Sequence, residues 1–174
     1  MTTILTAEKL EEITPITNAL SNQVNLLIPF IEFAETAHLK EDLLGEAMYD
    51  GIIDEIEAGT LSGNNLTLVN TYLYNLSGWY SLFEASPFIA FRAEAKGITK
   101  KYSDNSQPLD KSEYDSWRQA VLDKALFWRN ATIKFLTNNK EDFTLWRTQY
   151  YGSDTTDGCG DGFGGYDSAN GIYL

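Results

Sequence analysis

Between residues 114 and 135 the side chains of Tyr114, Trp117, Val121, Ala125, Trp128, Thr132 and Phe135 recur at steps of three and four, the spacing that stacks residues on one face of an α-helix. Asp110-Lys-Ser-Glu stands just before them and reads as a capping box, with Asp in place of Ser or Thr. The spacing therefore predicts a helix running from this box to about Asn138. A helix this long with a single apolar stripe must bury that stripe against other helices or a sheet, and this requirement restricts the fold more than any other feature of the chain.

The upstream segments offer matching faces. Thr6-Ala-Glu-Lys predicts a short helix with Thr6 as cap, Glu8 near its positive end, Leu10 and Ile13 on one side and Pro15 as its limit. Over 26–38, Leu27, Phe30, Ile31, Ala34 and Ala37 form one stripe, with Glu32, Glu35 and Thr36 on the side expected to be wet. Over 40–57, Leu44, Met48, Ile52 and Ile56 fall at every fourth position, with Gly59 as a C-cap. Val69, Leu73, Leu76, Tyr80 and Phe83 step four, three, four, three, and Pro87 is expected to interrupt them. Residues 88–96 predict one more short helix ending at Gly97, and 99–108 a polar surface loop. The expected fold is all-α, a small antiparallel helical bundle over 1–138, with Phe30, Ile31, Leu44, Met48, Leu73, Leu76, Trp117, Val121 and Trp128 in its core.

After Asn139 the periodicity ends. Residues 148–174 contain four Asp and no Lys or Arg, and seven of the chain's 13 glycines follow Asn139. Aromatics persist there nonetheless, so 139–174 read as an extended arm that docks onto a partner through Trp146, Tyr150, Tyr151, Phe163, Tyr166 and Tyr173.

Charge and composition exclude several functions. Thirteen Lys and Arg against 25 Asp and Glu leave a net charge of −12, which repels nucleic acid unless the cations are gathered in one place. Arg92, Lys96, Lys100 and Lys101 are the one basic cluster, read either as cations at a helix C-terminus or as an electrostatic contact to an acidic partner. A single cysteine, Cys159, and a single histidine, His38, leave no disulfide framework and no ordinary transition-metal ligand set. No metal and no cofactor is expected.

The remaining motifs carry little chemistry. Gly160-Asp-Gly-Phe-Gly-Gly165 fits the dinucleotide pattern formally but lacks the flanking strand and helix that the pattern needs. Asp154, Asp157, Asp161 and Asp167 miss the EF-hand spacing. His38 is expected to be a cap or a structural residue, and Glu35-Thr-Ala-His38 is the sole Glu-x-x-His, whereas a di-iron bundle needs two. The uncharged runs 13–31 and 58–83 contain too many Asn, Ser, Thr and Pro to span a bilayer. The N-terminus has no secretory pattern, so synthesis in the cytoplasm is expected.

Taken in order, several segments resemble the head–tail connector, or adaptor, proteins of tailed bacteriophages, in the type found in phages of Bacteroidota, including crAss-like phages. The resemblance runs through Ile4-Leu-Thr-Ala-Glu-Lys-Leu, Asn25-Leu-Leu-Ile-Pro-Phe-Ile-Glu-Phe-Ala-Glu, Asp42-Leu-Leu-Gly-Glu-Ala-Met-Tyr and Ile56-Glu-Ala-Gly-Thr-Leu. It continues through Glu84-Ala-Ser-Pro-Phe, Lys96-Gly-Ile-Thr, Ser103-Asp-Asn-Ser and the helix of 114–136, so it covers 4–138. The order of segments and the Leu-Gly-x-x-x-Tyr element carry it. The resemblance implies a helical protomer of a dodecameric ring in the virion neck, bound to the portal protein, meeting the next neck or tail protein below and prolonging the channel through which genomic DNA passes. It also implies an arm that grips the portal, and no catalytic residues. The Gly/Tyr-rich end after Trp146 departs from shorter family members. Two other functions remain open on the residues alone: a soluble regulatory protein whose tail folds on a partner, and a hydrolase using acidic residues.

Overall fold

A computed structural model describes residues 2–14, 26–94, 97–100 and 110–146. Helix α1 (Ala7–Ile13) is capped as expected, the Thr6 hydroxyl accepting from the Lys9 N–H. Helix α2 (Ile28–Ala34) runs directly into a π-helical segment, Glu35–Leu44. There the chain turns at Gly45, whose φ of +83° is a conformation that a side chain would strain. Helix α3 (Glu46–Ala58) follows and ends at Gly59 in the left-handed conformation. The fourth-position spacing over 40–57 thus belongs to two helical pieces with a break at Gly45.

Helix α4 (Gly63–Thr67), a second π-helical segment (Leu68–Leu73) and helix α5 (Tyr74–Ala90) form one continuous rod. Pro87 lies inside α5 and does not interrupt it. Proline removes the N–H that would bond the carbonyl four residues back. Here the Ser86 hydroxyl donates to that carbonyl of Phe83 at 2.7 Å, and Arg118 holds Ser86 through its Nε at 3.2 Å. After Ala90 the chain forms a two-stranded antiparallel hairpin, β1 (Phe91–Glu94) and β2 (Gly97–Lys100), where a short helix was expected. The hairpin is the one departure from an otherwise helical fold among the described residues.

Helix α6 (Lys111–Asn138) carries the complete capping box, with Asp110 accepting from the Glu113 N–H and Glu113 accepting from the Asp110 N–H. It packs along α5, the hub of the bundle, which also meets α1, α2 and both π-helical segments. Glu84 is the only charged residue between Tyr74 and Ala90, as suits a helix covered on several sides. At Gly78 α1 comes so close that a Cβ would lie 3.1 Å from Ile13 Cγ2.

The main core joins Leu39, Leu43, Leu44, Met48, Tyr49, Ile52, Leu68, Val69, Leu73, Leu76 and Tyr80 to Ala125 and Leu136 of α6, so both π-helical segments line it. A second, smaller cluster gathers Leu5, Leu10, Leu27, Ile31 and Ala85. Of the expected core, Ile31, Leu44, Met48, Leu73, Leu76 and Val121 are buried, and Phe30 and Trp128 are half-buried against the two clusters. Trp117 is half-exposed and joins neither cluster, its ring meeting Tyr114 instead.

The packed body also extends past the expected boundary at 138. Phe143 and Trp146 are 4% and 2% exposed and belong to the main core. The Trp146 indole N–H donates to the carbonyl of Leu43 at 3.0 Å, supplying a partner where the π-helical segment ends and its last carbonyls lack intrahelical donors. Trp146 is therefore a core residue and not part of a docking arm. Its large apolar surface and single donor suit a buried place beside an orphan carbonyl.

Candidate functional site

The first site candidate is a buried acid that the sequence places on a wet face. Glu35 follows Ile31 by one helical turn, and the segment Ile4-Leu5 covers it, so it is fully buried. Its Oε2 accepts from the Ile4 N–H at 2.8 Å and the Tyr49 hydroxyl at 2.6 Å. Its Oε1 accepts from the Leu5 N–H at 2.7 Å and the Ser77 hydroxyl at 2.8 Å. Burial pushes the carboxyl above its ordinary pKa, against the four hydrogen bonds that favour the charged form. Burial first, and then the charge of Glu35, push the Tyr49 hydroxyl upward as well. Four donors and no room for substrate make Glu35 a staple between the N-terminal segment, α3 and α5. The sequence signal was available, since Leu27, Ile31 and Glu35 share a stripe at fourth positions. Its donors come from 14 to 42 residues away, however, and spacing cannot show them.

His38 lies within the first π-helical segment rather than at a helix end. Its ring stacks on Tyr80, centroids 4.0 Å apart and 7° from parallel, and its Nε2 is hydrogen-bonded to Glu84 Oε1 at 2.8 Å. Nearby, Arg129 pairs with Asp42 at 3.0 Å and ties α6 to the π-helical segment. A histidine beside a carboxylate can relay a proton, but this one needs a nucleophile to serve. The serines of α5 point elsewhere: Ser77 to Glu35, Ser81 to the Ser77 carbonyl and Ser86 to the Phe83 carbonyl. The cluster works as a clamp between helices.

What the described surface offers instead is apolar. Phe33, Phe88 and Phe127 are 56%, 65% and 64% exposed, and Leu26 and Leu126 are exposed as well. Single exposed apolar residues are ordinary, whereas several large aromatics on a small body mark contact surfaces. Between α5 and α6, Trp79, Ala120, Asp123, Lys124, Phe127 and Trp128 line an open groove of about 430 Å³.

Of the other sequence candidates, Arg92 and Lys100 fall in the hairpin, in register with Thr99 and Phe91 respectively. Helix α5 ends at Ala90, so neither residue lies in its last turn. Lys96, Lys101, Tyr150, Tyr151, Phe163, Tyr166 and Tyr173, with the glycine motif and the acidic residues of 154–167, lie outside the described residues. Among the described residues no group of three or more His, Cys, Asp and Glu is placed to hold a metal ion, and no helix is long and apolar enough to cross a membrane.

Fold and surface together define a small α-helical domain in which Glu35 and His38 are held by hydrogen bonds between elements, while Phe33, Phe88 and Phe127 face outward. Residues 41–156 match a protein family described as a family of unknown function (DUF6712), and the chain belongs to that family. The matched span begins in the first π-helical segment and ends beyond the buried Trp146. Neither the curated proteins nor the solved structures contain a match to the chain.

Proposed function

We propose that the chain is a structural subunit of a phage virion neck: a head-to-tail adaptor, assembled as a ring on the portal, that prolongs the DNA channel and links capsid to tail. The observation that carries an assembly role over a catalytic one is the division of labour in the body. Glu35, His38 and Ser77 are engaged in holding helices together and Ser81 is bonded within its own helix, while Phe33, Phe88 and Phe127 are turned to solvent. The ordered resemblance over 4–138 supports the particular assembly, and the net charge of −12 suits a channel past which DNA slides rather than sticks. The arm that would grip the portal begins after Trp146, since Trp146 itself is spent on the core.

Co-purification with portal-containing particles tests this reading. The full chain is expected to attach in a fixed ratio to portal subunits, and a chain lacking residues 152–174 to remain folded but unattached. A full chain that never associates with portal would overturn the proposal. The same exposed aromatics also favour a second reading, a soluble protein whose tail folds on a partner other than a portal. Capture of a single such partner at constant stoichiometry, without ring formation, would support it.

A further inference from the structure

The groove between α5 and α6 has a specific recognition chemistry. Phe127 stands edge-on to Trp128, centroids 5.4 Å apart at 82°, and Trp79 forms the facing wall. Lys124 holds its ammonium over the Trp79 ring, 5.3 Å from the centroid, and no carboxylate of the described residues forms an ion pair with it. Asp123, the other charged group of the groove, accepts from the Gln119 amide at 2.9 Å and is held along the helix. Three aromatic rings with one cation at the rim suit an aromatic side chain directly adjoining an acid.

We propose that the occupant is this chain's own C-terminal segment, with Tyr166 against Phe127 and Trp128 and Asp167 on Lys124. Residues 148–174 carry four Asp and no Lys or Arg, so their charge complements Lys124. Among their aromatics Tyr166 alone is followed directly by an acid, and Gly164-Gly165 before it lets the backbone approach an aromatic wall closely. Reach is ample. Tyr166 lies twenty positions after Trp146, a length of chain that can span at most about 70 Å. Phe127 lies only about 16 Å along α6 from its end at Asn138. A tether of this length presents the segment at roughly millimolar effective concentration, so a second copy at micromolar concentration does not compete. The inference goes beyond the adaptor reading and does not depend on it; in an assembling neck, an acceptor would have to take the segment from this groove.

The chain's single cysteine, Cys159, lies seven residues before Tyr166 and is a built-in handle for the test. The full-length protein is labelled there with a benzophenone maleimide, irradiated at low micromolar concentration, and its cross-links are mapped by mass spectrometry. Cross-links within one chain to residues 120–128 and to Trp79 are expected. Phe127→Asp, at an exposed position that leaves the core intact, should lower their yield about tenfold, as loss of an aromatic anchor does. Lys124→Glu should lower it too, and Lys124→Glu with Asp167→Lys should restore it, which a merely structural effect would not do. Cross-links scattered over the body, a yield indifferent to Phe127→Asp, a failed charge swap or products of two-chain mass would each overturn the proposal.

Discussion

Replacing Glu35 isolates what holds the N-terminal segment to the bundle. In Glu35→Ala the hydroxyls of Tyr49 and Ser77 can turn toward other acceptors, whereas the N–H groups of Ile4 and Leu5 cannot. Each buried donor stranded in this way costs roughly 1–3 kcal/mol, so the two together cost about 2–6 kcal/mol. Set against a total stability of about 5–15 kcal/mol, that is enough to release residues 2–14 locally before the body unfolds. Glu35→Gln is the milder variant. Its amide offers one oxygen and one NH₂ group, and whichever way it is flipped, either Ile4 or Leu5 faces a donor. One of these two amides then lacks its acceptor, and because both open together with residues 2–14, both should exchange about 5- to 150-fold faster, less than in Glu35→Ala. Removing a buried charge acts in the opposite direction on global stability, so amide exchange read at single residues is the deciding assay. Unchanged protection of both amides in Glu35→Ala would refute the staple.

Trp146→Ala should cost about 3–5 kcal/mol in denaturant unfolding, and removal of 139–174 should cripple folding, while removal of 152–174 leaves helicity nearly unchanged by circular dichroism. Trp117→Ala, at a half-exposed site outside both clusters, should cost clearly less than Trp146→Ala in the same experiment. Ser86→Ala should lose about 1–2 kcal/mol by leaving the Phe83 carbonyl without a donor, and much of that loss should vanish when Pro87→Ala restores an N–H. Because Tyr49 is raised above its ordinary value of 10.0, the unfolded chain releases that proton first. The Tyr49 contribution to stability is therefore intact below pH 10 and falls above it by up to about 1.4 kcal/mol per pH unit. Tyr49→Phe should flatten the alkaline limb of the unfolding curve, with the buried Tyr80 accounting for what remains.

Much of the architecture is encoded locally. Apolar spacing and the Asp110–Glu113 capping box define α6 to within a residue at each end, Thr6 starts α1, and Gly59 closes α3. Each of these is a contest among near neighbours in the chain, where hydrogen-bond geometry and side-chain period decide. Other features depended on partners far away in sequence. Pro87 is tolerated because Ser86, held by Arg118 from across the bundle, replaces the missing donor. Glu35 is buried because residues 4–5, Tyr49 and Ser77 converge on it with four donors. Trp146 passes from the arm to the core because the carbonyl of Leu43, 103 residues earlier, needs its indole N–H. A residue's own period can announce that one of its faces is apolar. Whether a polar group may enter that face, or an aromatic must leave the tail to join it, is settled only when the tertiary structure brings a complementary donor or acceptor within about 3 Å.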